Sequence, residues 1–282
     1  MLKEICFRLY EETEKALQEK TQLLLQDLSA HGIQVRGLKT VGEHAVGAVR
    51  AEETMYLTDQ EKVYAALREE GCLVLPYLHE NNRQESFPGA IYAVEKLEEI
   101  DAESFDLAYR RLAGLPWEIL TTQRCSVRET TVEDVDSFYR IYAEPSVTEY
   151  TEDLFVDREE EIAYIKDYME KVYAFYGYGM WTVLEKESGE VIGRAGIGWR
   201  EGYELPELGF VFGVPWQGRG YAYEVCSAIL TYAREELSME RAQALVQPGN
   251  ERSLGLCEKL GFVRCGETVL EGERHVLLVK EL

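Results

Sequence analysis

The spacing of apolar residues along the chain predicts two blocks of alternating elements. Ile5, Leu9, Leu17, Leu23, Leu24 and Leu28 lie on one stripe at helical spacing, and His31-Gly32 stops it, so the first thirty residues read as one helix. Thr54-Met-Tyr-Leu-Thr-Asp59 reads as a short buried strand, with Thr58-x-x-Glu61 as the capping box of a helix running to about Glu70. Two more apolar stretches, 72–78 and 91–94, read as strands, and a helix follows over 102–113. Strands alternating with helices predict a small parallel α/β unit. Gly114-Leu-Pro-Trp117 punctuates the chain, which places a domain over 1–120 and a second over 121–282. The second block opens with a strand over 126–130, and Thr130-x-x-Glu133 caps a helix carrying Phe138, Tyr139 and Tyr142. An acidic, tyrosine-rich helix over 157–176 precedes strands at 180–185, 191–199 and 207–214. A helix begins near Tyr221, a strand covers 242–246, a helix covers 251–260, and two strands joined by Glu271-Gly272-Glu273 end the chain.

Composition narrows the class without naming a function. The 282 residues are 46% hydrophobic and 29% charged, enough for two cores and free of low-complexity bias. No apolar run approaches the roughly 20 residues of a membrane span, and the N-terminus lacks the layout of a signal peptide. Six scattered cysteines without a CxxC pair predict reduced thiols, hence a cytoplasmic protein, and four separated histidines predict no metal site. Net charge is −22, with −9 up to Thr122 and −13 after it. A field of that sign opposes nucleic acid and anionic membranes and favours cationic partners; it also serves solubility alone.

The stretch that changes the picture is Val214-Pro-Trp-Gln217-Gly218-Arg219-Gly220-Tyr221-Ala222, between a strand and a helix. Two glycines allow a tight turn and close ligand approach, and the free N–H groups and positive dipole end of the next helix point at that turn. The combination is an anion cradle suited to a pyrophosphate, with Arg219 adding positive charge. The spacing is neither GxxxxGK[ST] nor GxGxxG, which disfavours a nucleoside triphosphate or a dinucleotide.

In its element order, with Gln217-x-x-Gly220-x-Ala222 after the fourth strand, Asn250-Glu-Arg-Ser253 opening a helix and Lys259-Leu-Gly-Phe262 ending it, the chain from about Cys125 to Leu282 resembles the GCN5-related N-acetyltransferase (GNAT) superfamily. Glu144-Pro-Ser-Val-Thr-Glu-Tyr150 and Pro206-Glu-Leu-Gly-Phe210 look like the branch that acetylates ribosomal-protein and other protein N-termini. The resemblance implies a mixed, mostly antiparallel sheet flanked by helices and the transfer of acetyl from acetyl-CoA, without a metal, to a small cationic amine or a protein N-terminus. It implies that N–H groups of Gln217, Gly218, Arg219, Gly220, Tyr221 and Ala222 hold the pyrophosphate. Phe212, Gly213 and Val214 would serve the pantetheine arm and the thioester oxygen, where a fixed donor acts as an oxyanion hole. Asn250 would bind the CoA arm with Ser253 close by, or be a plain N-cap. Glu207 is the candidate base, at the mouth of an apolar cleft, or else a solvent-facing strand-edge residue. Many family members carry a tyrosine where this chain has Cys257, so the general acid is unassigned between that thiol, water and another tyrosine; Tyr221 stands in the motif. Tyr150 and Tyr168 are candidates for the acceptor pocket, although Tyr164 and Tyr168 at helical spacing also suit a core. A non-catalytic acyl-CoA sensor is the competing reading, resting on Cys257.

Residues 55–97 bear a fainter resemblance to part of a haloacid-dehalogenase-like domain, but no DxD turn follows an early strand, which argues against phosphatase activity. The carboxyl ends of a parallel sheet would gather Thr58, Asp59, His79, Glu80 and Asn81, as a small-ligand site or as a scaffold with a polar loop.

Overall fold

A computed structural model describes residues 1–17, 20–37, 53–151 and 153–282. The chain divides into two compact units, Met1–Trp117 and Glu118–Leu282.

The first unit is built on a parallel sheet of order β2-β1-β3-β4, from β1 (Glu4–Arg8), β2 (Gln34–Arg36), β3 (Thr54–Thr58) and β4 (Leu73–Pro76). Helices α1 (Glu11–Leu17), α2 (Gln22–Ala30), α3 (Glu61–Glu69) and α4 (Ala102–Leu112) complete it. Alternation along the strands makes two cores. Ile5, Phe7, Met55, Leu57 and Leu75 pack with α2 and α4, while Cys6, Tyr56 and Val74 pack with Tyr64 and Leu67 of α3. The single helix expected over the first thirty residues is thus a strand followed by two helices. A strand buried on both faces carries no period of two, and Ile5 and Leu9 imitate helical spacing.

Three smaller expectations also yield to tertiary pairing. Over 91–94 only Val94 bridges the sheet, to Tyr77, and Ile91 is exposed. Thr58 does not box with Glu61: its hydroxyl donates to Arg8 O at 2.6 Å and accepts from Gln60 N at 3.2 Å. At the carboxyl ends, Asp59 Oδ1 accepts from Tyr10 N at 2.9 Å, its Oδ2 pairs with His79 Nε2 at 3.1 Å, and His79 Nδ1 accepts from Asn81 N at 3.3 Å. These groups satisfy one another and tie β1, β3 and the segment after β4 together.

The second unit carries an eight-stranded sheet, made of β5 (Glu118–Thr121), β6 (Cys125–Glu129), β7 (Met180–Glu185), β8 (Val191–Gly198), β9 (Glu207–Phe212), β10 (Arg241–Val246), β11 (Val263–Leu270) and β12 (Glu273–Glu281). Its order is β11-β12-β10-β9-β8-β7-β6-β5. Residues 118–121 pair with β6, so the unit begins three residues before the boundary expected from sequence. Helices α5 (Val135–Tyr142), α6 (Pro145–Thr148), α7 (Arg158–Tyr168), α8 (Ala174–Tyr176), α9 (Tyr221–Glu235) and α10 (Glu251–Lys259) flank it, with a π-helical turn at Met169–Tyr173 joining α7 to α8. The main core lies between the sheet and α9 and α10; α5 and α7 bury Val135, Phe138 and Ile165 in a separate cluster. Every neighbouring pair is antiparallel except β9 and β10, which are parallel and share one register pair, Gln243↔Glu207. No helix among the described residues is long and apolar enough to cross a membrane.

Asp134 anchors the first helical layer. The cap falls one residue later than the sequence suggested: Thr131, not Thr130, opens the turn before α5, and its N–H donates to Asp134 Oδ2 at 2.9 Å. Buried Asp134 also takes two bonds from Arg128 at 2.7 Å and one from Thr182 Oγ1 at 2.9 Å. Removing one partner of a buried pair strands the other charge, so Asp134→Ala is expected to lower unfolding free energy by about 3–5 kcal/mol in urea titration. Burial pushes the thiols of Cys6 and Cys125 up to about 11 and that of Cys257 up to about 12. Unfolded thiols ionise near pH 8.5, so between about pH 9 and 11 the unfolded state binds fewer protons and stability falls as pH rises. The urea midpoint is therefore expected to be lower at pH 10 than at pH 8, with a smaller drop in Cys257→Ala; equal drops would show that Cys257 is not desolvated.

Candidate functional site

The parallel step in the sheet produces a gap. β9 and β10 meet at Gln243↔Glu207, where Gln243 N also donates to Pro206 O at 2.8 Å, and no further residue of β9 pairs with β10. Backbone groups alternate in direction along a strand. Gly213 N donates to Ile192 O on the β8 side at 2.9 Å, and Pro206 O faces β10, so even-numbered β9 residues aim their backbone at the gap. Phe210 is one of them, and its N–H points into the opening. Phe212, which the sequence motif drew attention to, faces the same way; Phe210 adds a second position that only the strand register reveals.

The gap opens into a cavity of about 1340 Å³. One wall is β9 from Phe210 to Phe212, and a second is the turn and helix start at Val214, Gln217, Gly218, Gly220 and Ala222. The third is the opening of α10, including Asn250, Arg252 and Ser253, and the fourth is α6 with Glu149, Tyr150 and Thr151 after it. Gly218 and Gly220 have φ of +71° and +85°, conformations open to glycine at no steric cost, and Gly220 is the N-cap of α9. A helix begun by glycine leaves its first N–H groups without a capping side chain. Two helix N-termini, those of α9 and α10, therefore face one cavity. Arg252 and Lys259 line it as well, a local positive contribution in an acidic protein.

Gln217 ties three of these walls together. Its Nε2 donates to Phe212 O at 2.8 Å, and its Oε1 accepts from Arg252 Nη1 at 2.9 Å. Its own N–H donates to Val214 O, as that of Gly213 does to Ile192 O, so these two N–H groups are engaged within the protein, contrary to expectation. The donors left to serve a ligand include Phe210 and Phe212, whose backbone faces the gap, and those at Gly218–Ala222. Asn250 caps α10 by accepting from Ser253 N at 3.1 Å and still lines the cavity, so its cap role and its position at the site coexist.

Other expected residues stand behind the walls. Tyr221 is buried; its hydroxyl donates to Glu185, and its ring lies 4.0 Å from the Arg124 guanidinium carbon and 5.5 Å from that of Arg219. Arg124 Nη1 donates to Arg219 O at 3.0 Å, and its Nε pairs with Glu224 at 2.7 Å. These contacts brace the glycine turn from beneath, while the Arg219 side chain is turned back onto Pro215 O. Glu207 is not a free carboxylate at an apolar mouth: it accepts from Arg200 Nε, and it is outside the cavity lining. Tyr168 is also outside it, its hydroxyl accepting from Met180 N at 2.8 Å and its ring 5.1 Å from that of Tyr173, as a framework residue would be. Tyr150 does line the cavity; a hydrogen bond to Glu149 raises its pKa from the ordinary tyrosine value. Cys257 is fully buried in the core with its thiol pushed up to about 12, which makes it a packing residue. Among the described residues no group of three or more His, Cys, Asp or Glu side chains could hold a metal ion.

Comparison with known proteins agrees with this geometry. Residues 124–263 match the family profile described as an Acetyltransferase (GNAT) domain. The protein YkkB of Bacillus subtilis is 35% identical over 89 residues, covering 31% of this chain and 52% of its own length, so the chain spans about half of that relative. The N-acetyltransferase p20 of Bacillus licheniformis is 26% identical over 153 residues, 53% of this chain and 84% of that one. The ribosomal protein uS5-alanine N-acetyltransferase of Escherichia coli is 30% identical over 110 residues, 38% and 55%. A GNAT-family acetyltransferase structure from Bordetella pertussis superposes with a TM-score of 0.51 at 24% identity, over 58% of this chain and 99% of that one, a likeness of fold. Sequence profile, diverging strands and glycine turn coincide on one segment: residues 124–263 are a GNAT acetyltransferase domain.

Proposed function

We propose that the second unit transfers the acetyl group of acetyl-CoA to a primary amine, that of a small molecule or a protein N-terminus. The observation that supports it is the single cavity onto which the Phe210 N–H, the Gly218–Gly220 turn and the N-termini of α9 and α10 converge. The helix N-termini suit a pyrophosphate, and the gap between β9 and β10 suits an extended arm ending at Phe210. Attack of a neutral amine on the thioester carbon puts negative charge on the carbonyl oxygen, and a fixed backbone N–H there stabilises it. The amine then loses a proton and the departing thiolate gains one. We assign proton removal to Glu207 acting through water, with Arg200 holding the carboxylate in place. Tyr150, on the cavity wall, belongs to the acceptor side.

The reading is tested by calorimetric titration with acetyl-CoA together with thiol release against a panel of amines and N-terminal peptides. Saturable binding and amine-dependent release are expected. Gly220→Val forces a β-branched residue into a left-handed conformation and should weaken acetyl-CoA at least about tenfold, equivalent to about 1.4 kcal/mol; unchanged affinity would remove the turn from the site. Glu207→Gln is expected to lower turnover and flatten its rise with pH at unaltered acetyl-CoA affinity, and a parental pH profile would exclude Glu207. The burial of Cys257, where many family members carry a tyrosine, favours a second reading, an acyl-CoA sensor, and tight binding without release on any amine would select it.

A further inference from the structure

The sheet face opposite α9 carries a cation that has no counterion among the described residues. Arg194 on β8 pairs in register with Val211 on β9, and Val211 lines the cavity. Cross-strand partners project to the same side, so Arg194 lies on the face covered by α5, away from the core under α9 that holds Ala195 and Phe212. Its guanidinium carbon is 4.7 Å from the centre of the Phe138 ring. Its strongest electrostatic neighbours are the phenols of Tyr142, Tyr173, Tyr164 and Tyr168, none of them a carboxylate. Nε of Arg194 is buried and has no hydrogen-bond partner among the described residues. Arg124, Arg128 and Arg200 in the same unit each have a carboxylate, Glu224, Asp134 and Glu207 respectively. The same sheet face holds a second buried donor, Nε2 of Gln243 beside Glu207, which has no partner among the described residues. Unpaired buried donors, one of them charged, are costly to keep, and both are suited to donate to a ligand oxygen.

We propose that Arg194 receives a carboxylate carried by the acceptor amine, making the acceptor an amino-acid-like molecule; this rests on the acetyl-transfer reading above. The guanidinium fork matches a carboxylate in a way that a lysine ammonium does not, and the aromatic rings around it keep water from competing. The carboxylate anchors one end of the acceptor on β8, one strand from the β9 edge where the thioester would lie. The carboxylates of Glu149 and Glu251 on the cavity wall suit the ammonium end during approach. Glu149, Glu251 and Tyr150 on the cavity wall then recognise one half of a zwitterion, and Arg194 recognises the other.

The experiment compares amino acids with their α-amides as acceptors in thiol release. It also titrates the CoA complex with N-acetyl amino acids and their amides, using the parent protein, Arg194→Gln and Arg194→Lys. In the parent, at least one carboxylate acceptor is expected to show KM about tenfold or more below that of its amide. Arg194→Gln should erase that preference while leaving the amide's KM and the CoA affinity within about twofold, and Arg194→Lys should retain part of it. Equal KM for acid and amide in the parent, equal losses for both in Arg194→Gln, or no carboxylate-dependent turnover or product binding at all would each overturn the proposal. If Arg194→Gln does not fold, the parent comparison and Arg194→Lys decide alone. CoA titration of the same samples separates the two levels: intact CoA binding without a carboxylate preference sinks Arg194 only, whereas failure to bind CoA sinks the acetyl-transfer reading with it.

Discussion

The site depends on one parallel strand pair inside an otherwise antiparallel sheet. β9 and β10 run in the same direction, so the chain must cross over between them, and α9 is that crossover. A crossover helix starts at the carboxyl end of the strand before it, which brings the Gly218–Gly220 turn and the positive end of α9 to the tip of β9. Because the two strands pair only at Gln243↔Glu207, the rest of the β9 edge is released from the ladder. Backbone donors that would otherwise bond a neighbour become available to a ligand, at a place where helix dipoles already favour negative charge.

The surroundings hold that opening in shape. Gln217 links the strand end to Arg252 at the start of α10, and Arg124 with Tyr221 supports the turn from beneath. The residues that matter most for shape are thus partly different from those whose atoms face the cavity. Asn250 belongs to both groups, since one amide oxygen caps a helix while the residue lines the wall. Opposite α9, α5 and α7 cover the other face with aromatic rings, and Arg194 is enclosed there. Alternation along β9 puts Phe210 and Phe212 on the side of α9 and Val211 on the side of Arg194, and all three residues of the strand line the cavity.

The first unit follows a different logic. Its parallel sheet is buried on both faces, and Asp59, His79 and Tyr10 satisfy one another at the carboxyl ends of the strands. A crevice whose polar groups are mutually paired has fewer bonds to offer a ligand than the cavity of the second unit, where backbone groups are released.

The sequence by itself determined most of the second unit. Short apolar strands, an acidic, tyrosine-rich helix capped by Asp157 and two glycines ahead of Tyr221 are local patterns, and local patterns survive without tertiary context. It also marked Gly218, Gly220, Ala222, Asn250 and Ser253, because turn chemistry and capping are encoded within a few residues. Tertiary structure decided the rest. β1 was hidden because a doubly buried strand has no period, and Tyr168 and Tyr221 were turned to framework roles by partners that are far away in sequence, Met180 and Glu185. Whether Glu207 is free or paired, whether the Gly213 N–H is available, and whether Arg194 has a counterion depend on register and on packing across strands. No spacing of residues along one chain states those, because hydrogen-bond direction and desolvation are properties of neighbours brought together only by the fold.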